Sequence, residues 1–192
     1  MGGGMEPGWI LESDAFRLAA PGIKRSLPRR LDERCLGSGD GSSPDLRWSD
    51  PPSGTGSLAL VFERQDPPFC QWLVYNIPPE LRHLPPGIPP QESLPNGISQ
   101  GLHSGGRLGY LPSALDLPRG STRLSKGVPS LQGGDPIYRL LLVALKCPPN
   151  LPSRLNRDRW AAEVAGWILG ETELWVCLPS GVSSERPKGR VA

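Results

Sequence analysis

Residue types able to do chemistry are few in this chain of 192, which holds two histidines and four cysteines. His83 lies in the proline-flanked stretch PPELRHLPP and His103 among glycines in GLHSGG, so each is expected to be a solvated loop histidine rather than a catalytic base. Cys70 sits in an apolar run beside Trp72, with nothing near it in sequence to lower a thiol pKa. Cys70 and Cys177, which also falls in an apolar run, are therefore expected to act as small buried hydrophobes. Together with Cys35 and Cys147 they are widely spaced, form no CxxC pair and have no neighbouring histidine, so no zinc-type spacing is present. No GxSxG elbow, GxxxxGK[ST] phosphate loop or HExxH helix occurs. The case for an enzyme is weak, and neither a cofactor nor a metal is expected. Arg64 and Asp66 form a more telling pair. Two residues apart on an extended segment they share a face, so the guanidinium can neutralise the carboxylate. Unpaired, it would offer a planar fork to phosphate or carboxylate oxygens. The paired arrangement is the expected one.

The elements that must position these residues centre on Ser57 to Pro78, SLALVFERQDPPFCQWLVYNIP. Two apolar runs, Ser57–Glu63 and Cys70–Ile77, flank the polar link Arg64 to Pro68. In an extended first run Leu58, Leu60 and Phe62 face one way and Ala59 and Val61 the other, so both faces are apolar, which predicts a strand covered on both sides. The second run sets Cys70, Trp72 and Val74 against Leu73, Tyr75 and Ile77, and Pro78-Pro79 ends it. These two strands should lie in the middle of one sheet, with their link at its rim, where a site is expected. Tyr138–Lys146 predicts a third strand, and Trp9–Phe16 an earlier one. A helix is predicted over Arg157–Leu169, with Asn156 as N-cap, Trp160, Val164 and Ile168 on one apolar stripe, and Gly170 as a left-handed cap.

Glycine and proline number 24 each, a quarter of the chain. With such strong strand patterns present, that excess belongs in loops. Residues 20–41 read as loop with a short extended piece around Leu31–Leu36. The roughly sixty residues after Pro78 are loop-like and too long for an ordinary connection. A formal charge of +2 gives no case for nucleic acid or an anionic membrane surface. The N-terminal MGGGMEPGW lacks the basic and apolar regions of a secretory signal, and no run approaches the roughly 18 apolar residues of a membrane span. A cytoplasmic protein with reduced thiols is expected.

The central stretch carries a resemblance. QWLVYNIP over Gln71–Pro78 is similar to HWVVYNIP, and RQDPP over Arg64–Pro68 to DPDAP, two motifs of the phosphatidylethanolamine-binding protein family in its bacterial, Raf kinase inhibitor-like branch. DGSSPDLRW over Asp40–Trp48 resembles the family's DGxNxSPPLxW, GLHSGGRLGY over Gly101–Tyr110 its GxNDFGxxGY, and YRLLLVALK over Tyr138–Lys146 its YxFxLYALD. Glu171–Cys177 resembles the last strand. The resemblance runs over about Asp40–Tyr110 and Tyr138–Leu178.

It implies a mainly β fold with minor α, an antiparallel β-sandwich of that family's type with a C-terminal helix, as one domain over 9–178. Residues 113–135 stand as a loop insertion, and 1–8 and 179–192 as flexible ends. It also implies a small pocket for phosphate-like anions. Residue by residue, the pocket's second aspartate is kept as Asp66 and its tyrosine as Tyr138. Its first aspartate becomes Arg64, and its two histidines become Gln71 and Pro136. Tyr110 and His103 complete the candidate ligand-binding set. A charge-assisted hydrogen bond is worth about 1.5–3 kcal/mol, so loss of two imidazole donors should weaken anion binding by orders of magnitude. The expected function is that of a non-enzymatic protein binding a small anionic ligand or a protein partner through a diverged pocket. The alternatives are an inhibitor-like interaction scaffold with a silent pocket and, more weakly, a hydrolase or transferase. A homodimer is left open.

Overall fold

The computed structural model describes residues 16–19, 42–65, 67–112, 137–146 and 151–177. The strand expected at Trp9–Phe16, apart from Phe16 itself, which is buried but in no strand, lies outside these residues, as do the extended piece at Leu31–Leu36, the insertion at 113–135, the tail after Pro179, Asp66 and Pro136.

Eight strands, one α-helix and a 3₁₀ turn at Pro95–Gly97 are present among the described residues. A small antiparallel sheet is formed by β1 (Leu18–Ala19), β2 (Leu46–Trp48) and β5 (His83–Leu84), in the order β1-β2-β5. The larger sheet comprises β3 (Ser57–Gln65), β4 (Pro68–Ile77), β6 (Ser99–Gln100), β7 (Ile137–Leu145) and β8 (Ile168–Cys177), in the order β6-β4-β3-β7-β8, every pair antiparallel.

Strand β3 is central, as its two-sided apolar pattern predicts. Leu58, Leu60 and Phe62 join Trp72, Val74 and Leu140 in one core, closed by Leu18, Leu46, Trp48 and Leu84 of the small sheet. Ala59 and Val61 face a second core with Leu73, Tyr75, Leu141 and Val143, closed by Trp160 and Val164 of α1 (Arg157–Val164). The result is three layers, sheet, sheet and helix, in which each fully buried large side chain contributes about 1.5–3 kcal/mol. The DGSSPDLRW segment delivers Leu46 and Trp48 into the first core, and the Trp48 indole donates to the Leu81 carbonyl at 2.8 Å.

The alternation expected of β4 is corrected at both ends. Cys70 packs in the helix-side core although Trp72, two residues on, lies in the other; Tyr75 and Ile77 are split in the same way. The cause is a pair of bulges. Between Phe62↔Trp72 and Glu63↔Cys70 strand β4 has one residue too many, Gln71, and between Leu58↔Ile77 and Leu60↔Val74 it has another, Asn76. Asn76 adopts the left-handed conformation, φ 57°, which asparagine tolerates better than most residues. The strands also run further than expected, so that Arg64 and Gln65 belong to β3 and Pro68 and Phe69 to β4.

The helix is shorter than its periodicity predicts. Asn156 does cap it, accepting the Arg159 amide at 2.9 Å, but it ends at Val164. The Trp167 amide closes a turn on the Val164 carbonyl, and Ile168 already pairs with Leu145 in β8. Gly166 costs a continuing helix about 1 kcal/mol, while the far end of β7 offers ladder partners that β8 fills from its first residue. Gly170 accordingly pairs with Ala144 inside the sheet and caps no helix. Gly101 is glycine for a steric reason. Its amide donates to the Leu73 carbonyl at 2.9 Å, and an added Cβ would strike the Leu155 carbonyl and the Leu73 side chain.

Candidate functional site

The hairpin end of β3 and β4 gathers most of the sequence-predicted site residues. Arg64 lies opposite Phe69 on one side and Tyr138 on the other. Its Nε donates to the Pro67 carbonyl at 3.1 Å, and its guanidinium lies 5.5 Å from the centre of the Phe69 ring. One step inward, Phe62 sits between two tyrosines, with ring centres 5.6 Å from Tyr138 and 6.0 Å from Tyr110. Tyr110 also meets Trp72 edge-on at 5.7 Å. Gln71 is the bulge residue beside Trp72, fully buried, and its carbonyl accepts the Leu111 amide at 2.9 Å. Arg64, Gln71, Tyr110 and Tyr138 are thus brought to one end of the core between the sheets. A hollow of about 300 Å³ reaches Tyr110 from outside, past Ser43 and Ile88. Asp66, the residue expected to pair with Arg64, lies outside the described residues.

His103 is placed elsewhere, and the expectation of a solvated loop histidine is corrected. It is only 4% exposed and lines a cleft of about 520 Å³ on the helix side of the large sheet, with Glu63, Cys70, Ser104 and Arg157. Its Nδ1 accepts the Gly105 amide at 2.9 Å, and Gly105 packs so closely on the ring that a Cβ there would sit 2.7 Å from Cε1. Burial, and then the charge of Arg107, pull the imidazole below its usual pKa. His83 also differs from expectation, lying in β5 with Nε2 2.6 Å from an Asp45 carboxylate oxygen.

The same cleft contains charged groups that sequence reasoning missed. The Glu63 carboxylate is held by Arg139 of β7, from Nε at 3.1 Å and from Nη2, and by Nε of Arg157 at 3.3 Å. Burial alone would raise this carboxyl; the hydrogen bond from Arg139, the charges of Arg157 and Arg139 and the bond from Gln65 outweigh it and hold the group below its ordinary value. A lone arginine inside the apolar run YRLLLVALK, opposite a lone glutamate in SLALVFE, was the available signal. The third partner, Arg157, is 94 residues away in sequence and left none.

Cys70 is a free thiol, as expected. Burial, and then the Glu63 charge, push it up to about 12. Its backbone amide donates to the Ser104 hydroxyl at 2.9 Å. Cys70 should therefore label with a disulfide reagent at pH 8 only as fast as the protein opens, and at full speed in denaturant; prompt native labelling would contradict its placement. No group of three or more residues able to hold a metal occurs among the described residues, and no helix there is long and apolar enough to cross a membrane.

Two antiparallel sheets covered by one short helix, with the candidate residues at the hairpin end of the central strands, define an antiparallel β-sandwich. The chain belongs to the phosphatidylethanolamine-binding protein family, whose model matches residues 22–177. An UPF0098 protein of Methanothermobacter thermautotrophicus is 30% identical over 148 residues, covering 76% of this chain and 87% of the relative. YbhB of Escherichia coli is 35% identical over 102 residues, covering 50% of this chain and 63% of YbhB. Among solved structures, a phosphatidylethanolamine-binding protein homologue of Chlamydia trachomatis superposes with a TM-score of 0.66 at 22% identity, covering 88% of this chain and all of that one. Escherichia coli YbcL gives 0.65 at 21%, covering 86% and 99%. At those identities the superpositions establish the fold.

Proposed function

We propose that this protein works by binding rather than by catalysis, and that it takes a small phosphate-like anion at the hairpin end of β3 and β4. The observation that carries this reading is the setting of Arg64. Its planar guanidinium is steadied by the Pro67 carbonyl and the Phe69 ring, and its register partner Tyr138 supplies a phenol beside it. Arginine forks match the oxygens of phosphate and carboxylate and keep their charge at any physiological pH. The amide of Gln71 takes the place of an imidazole, so the site is diverged and weak. A cytoplasmic setting belongs to the same reading and suits the free thiol of Cys70.

Titration calorimetry with inorganic phosphate tests it. Binding is expected in the millimolar range, unchanged between about pH 5.5 and 8 because no histidine belongs to the site, and lost in Arg64→Ala. Binding that survives Arg64→Ala, or that follows a histidine titration, overturns the assignment. A second reading, a scaffold for a protein partner, has one observation in its favour. Trp167, Ile168, Leu169 and Trp175 expose large apolar surface on and just before β8, the edge strand of the large sheet. Concentration-dependent self-association abolished by Trp167→Ser and Trp175→Ser would support it, with a second copy of the chain as the partner.

A further inference from the structure

The cleft on the helix side is not part of that site. It is reached through Glu63 and Cys70, whose neighbours Phe62 and Trp72 point into the other core. What distinguishes it from an accidental groove is the state of its polar groups. The His103 ring is 4% exposed, and its Nδ1 is committed as acceptor to the Gly105 amide. In the neutral imidazole the ring proton therefore resides on Nε2. That atom has no hydrogen-bond partner among the described residues, yet it is not among the buried unpaired atoms, so the small exposed fraction of the ring includes Nε2 at the cleft wall. A buried donor left without a partner costs about 1–3 kcal/mol. Contact with the cleft removes that cost, and a ligand acceptor can use the donor.

Three further donors converge there. The Ser104 hydroxyl oxygen accepts the Cys70 amide, which leaves its proton to be donated outward. Arg157 uses Nε on Glu63, and its terminal nitrogens have no partner among the described residues. The side-chain oxygen of Asn156 is occupied by the Arg159 amide, while its NH₂ group is uncommitted among those residues. Glu63 is shared by two arginines and Arg139 also meets Glu173 at 3.6 Å, so that cluster is balanced in charge, and an anion is drawn by the convergent donors and not by net charge. Asp158, at the cleft edge, opposes a dianion more than a monoanion. The remaining wall is apolar, formed by Pro68, Phe69 and Leu102, and about 520 Å³ suits a small organic molecule.

We propose that this cleft is a second binding site, for a small monocarboxylate with an apolar body. The carboxylate bridges the His103 Nε2–H, the Ser104 hydroxyl and the Arg157 guanidinium, and the body lies against Phe69 and Leu102. None of its polar groups belongs to the sheet-end site; the two share the Phe69 ring, which Arg64 overlies, so the polar anchors of each can be tested separately.

Benzoate is the probe, followed by heteronuclear NMR on the labelled full chain, with acetate and inorganic phosphate as comparisons. Benzoate should shift the His103 ring and the amides of Ser104 and Arg157, and leave Tyr138 unmoved. Acetate should bind at least about tenfold more weakly, since it cannot bury a ring. His103→Ala and Arg157→Gln should each weaken benzoate by about tenfold or more, and Arg64→Ala should not. The shift map comes from the unaltered protein and stands even if a variant is poorly folded. Shifts centred on Tyr138 and lost in Arg64→Ala would return the anion to the first site and overturn the proposal. Absence of shifts, or acetate and phosphate binding as well as benzoate, would overturn it too.

Discussion

Phe62→Ala is expected to cost about 3–5 kcal/mol of folding free energy, seen as a lower urea midpoint at unchanged denaturant slope. Phe62 is fully buried and holds Tyr110 on one side and Tyr138 on the other. Its removal leaves a cavity that β3, hydrogen-bonded to β4 and β7 along both edges, cannot close by shifting. The near-ultraviolet circular dichroism of the tyrosines and Trp72 should weaken with it, because their mutual geometry depends on that ring. A loss below about 1 kcal/mol would mean that this end of the core is not packed as described.

Glu63→Ala is expected to cost about 2–3 kcal/mol. The arginines left behind are about a quarter exposed and regain part of their hydration, which keeps the figure below that of a fully buried pair. Glu63 also predicts a pH effect. Its carboxyl is held below 4.5 in the folded protein, so the unfolded chain takes up the proton first as pH falls. The stabilisation is fully present above about pH 4.5 and is lost as pH drops through the lower folded value. Glu63→Gln, compared by denaturation at neutral pH and between about pH 3 and 5, should lose stability at neutral pH and show a flatter acid limb. An acid limb parallel to that of the unaltered protein would show that another carboxylate governs the region.

How much of this was legible in the sequence varies with the range of the interaction. β3 and β7 were, because apolar residues on both faces of a short run leave few alternatives to a covered strand; the register that sets Arg64 against Tyr138 was not, because a strand apolar on both faces pairs equally well one step along. The parity of Cys70 and Ile77 was not, since a bulge adds one residue without changing local composition. The end of α1 was not, because Ile168 fits a helical stripe as well as a strand, and only the need of β7 for a partner decides between them. His103 reads as a loop histidine among glycines; its burial arises because Gly105, lacking a side chain, can lie against the ring. Glu63 and Arg157 are 94 residues apart, and no local pattern links them.

The bulge at Gln71 bears on how β4 was assembled residue by residue. Without Gln71, Cys70 would still oppose Glu63 and Trp72 would still oppose Phe62, and the two would become adjacent in an unbroken alternation with every core side chain facing as it does now. The ladder therefore closes without this residue, and the strand's length exceeds what its architecture requires. A fully buried polar side chain at a position that the sheet could omit is a surplus part in the construction of the strand. The backbone carbonyl of Gln71, spared from the β3 ladder, is the one that holds the Leu111 amide.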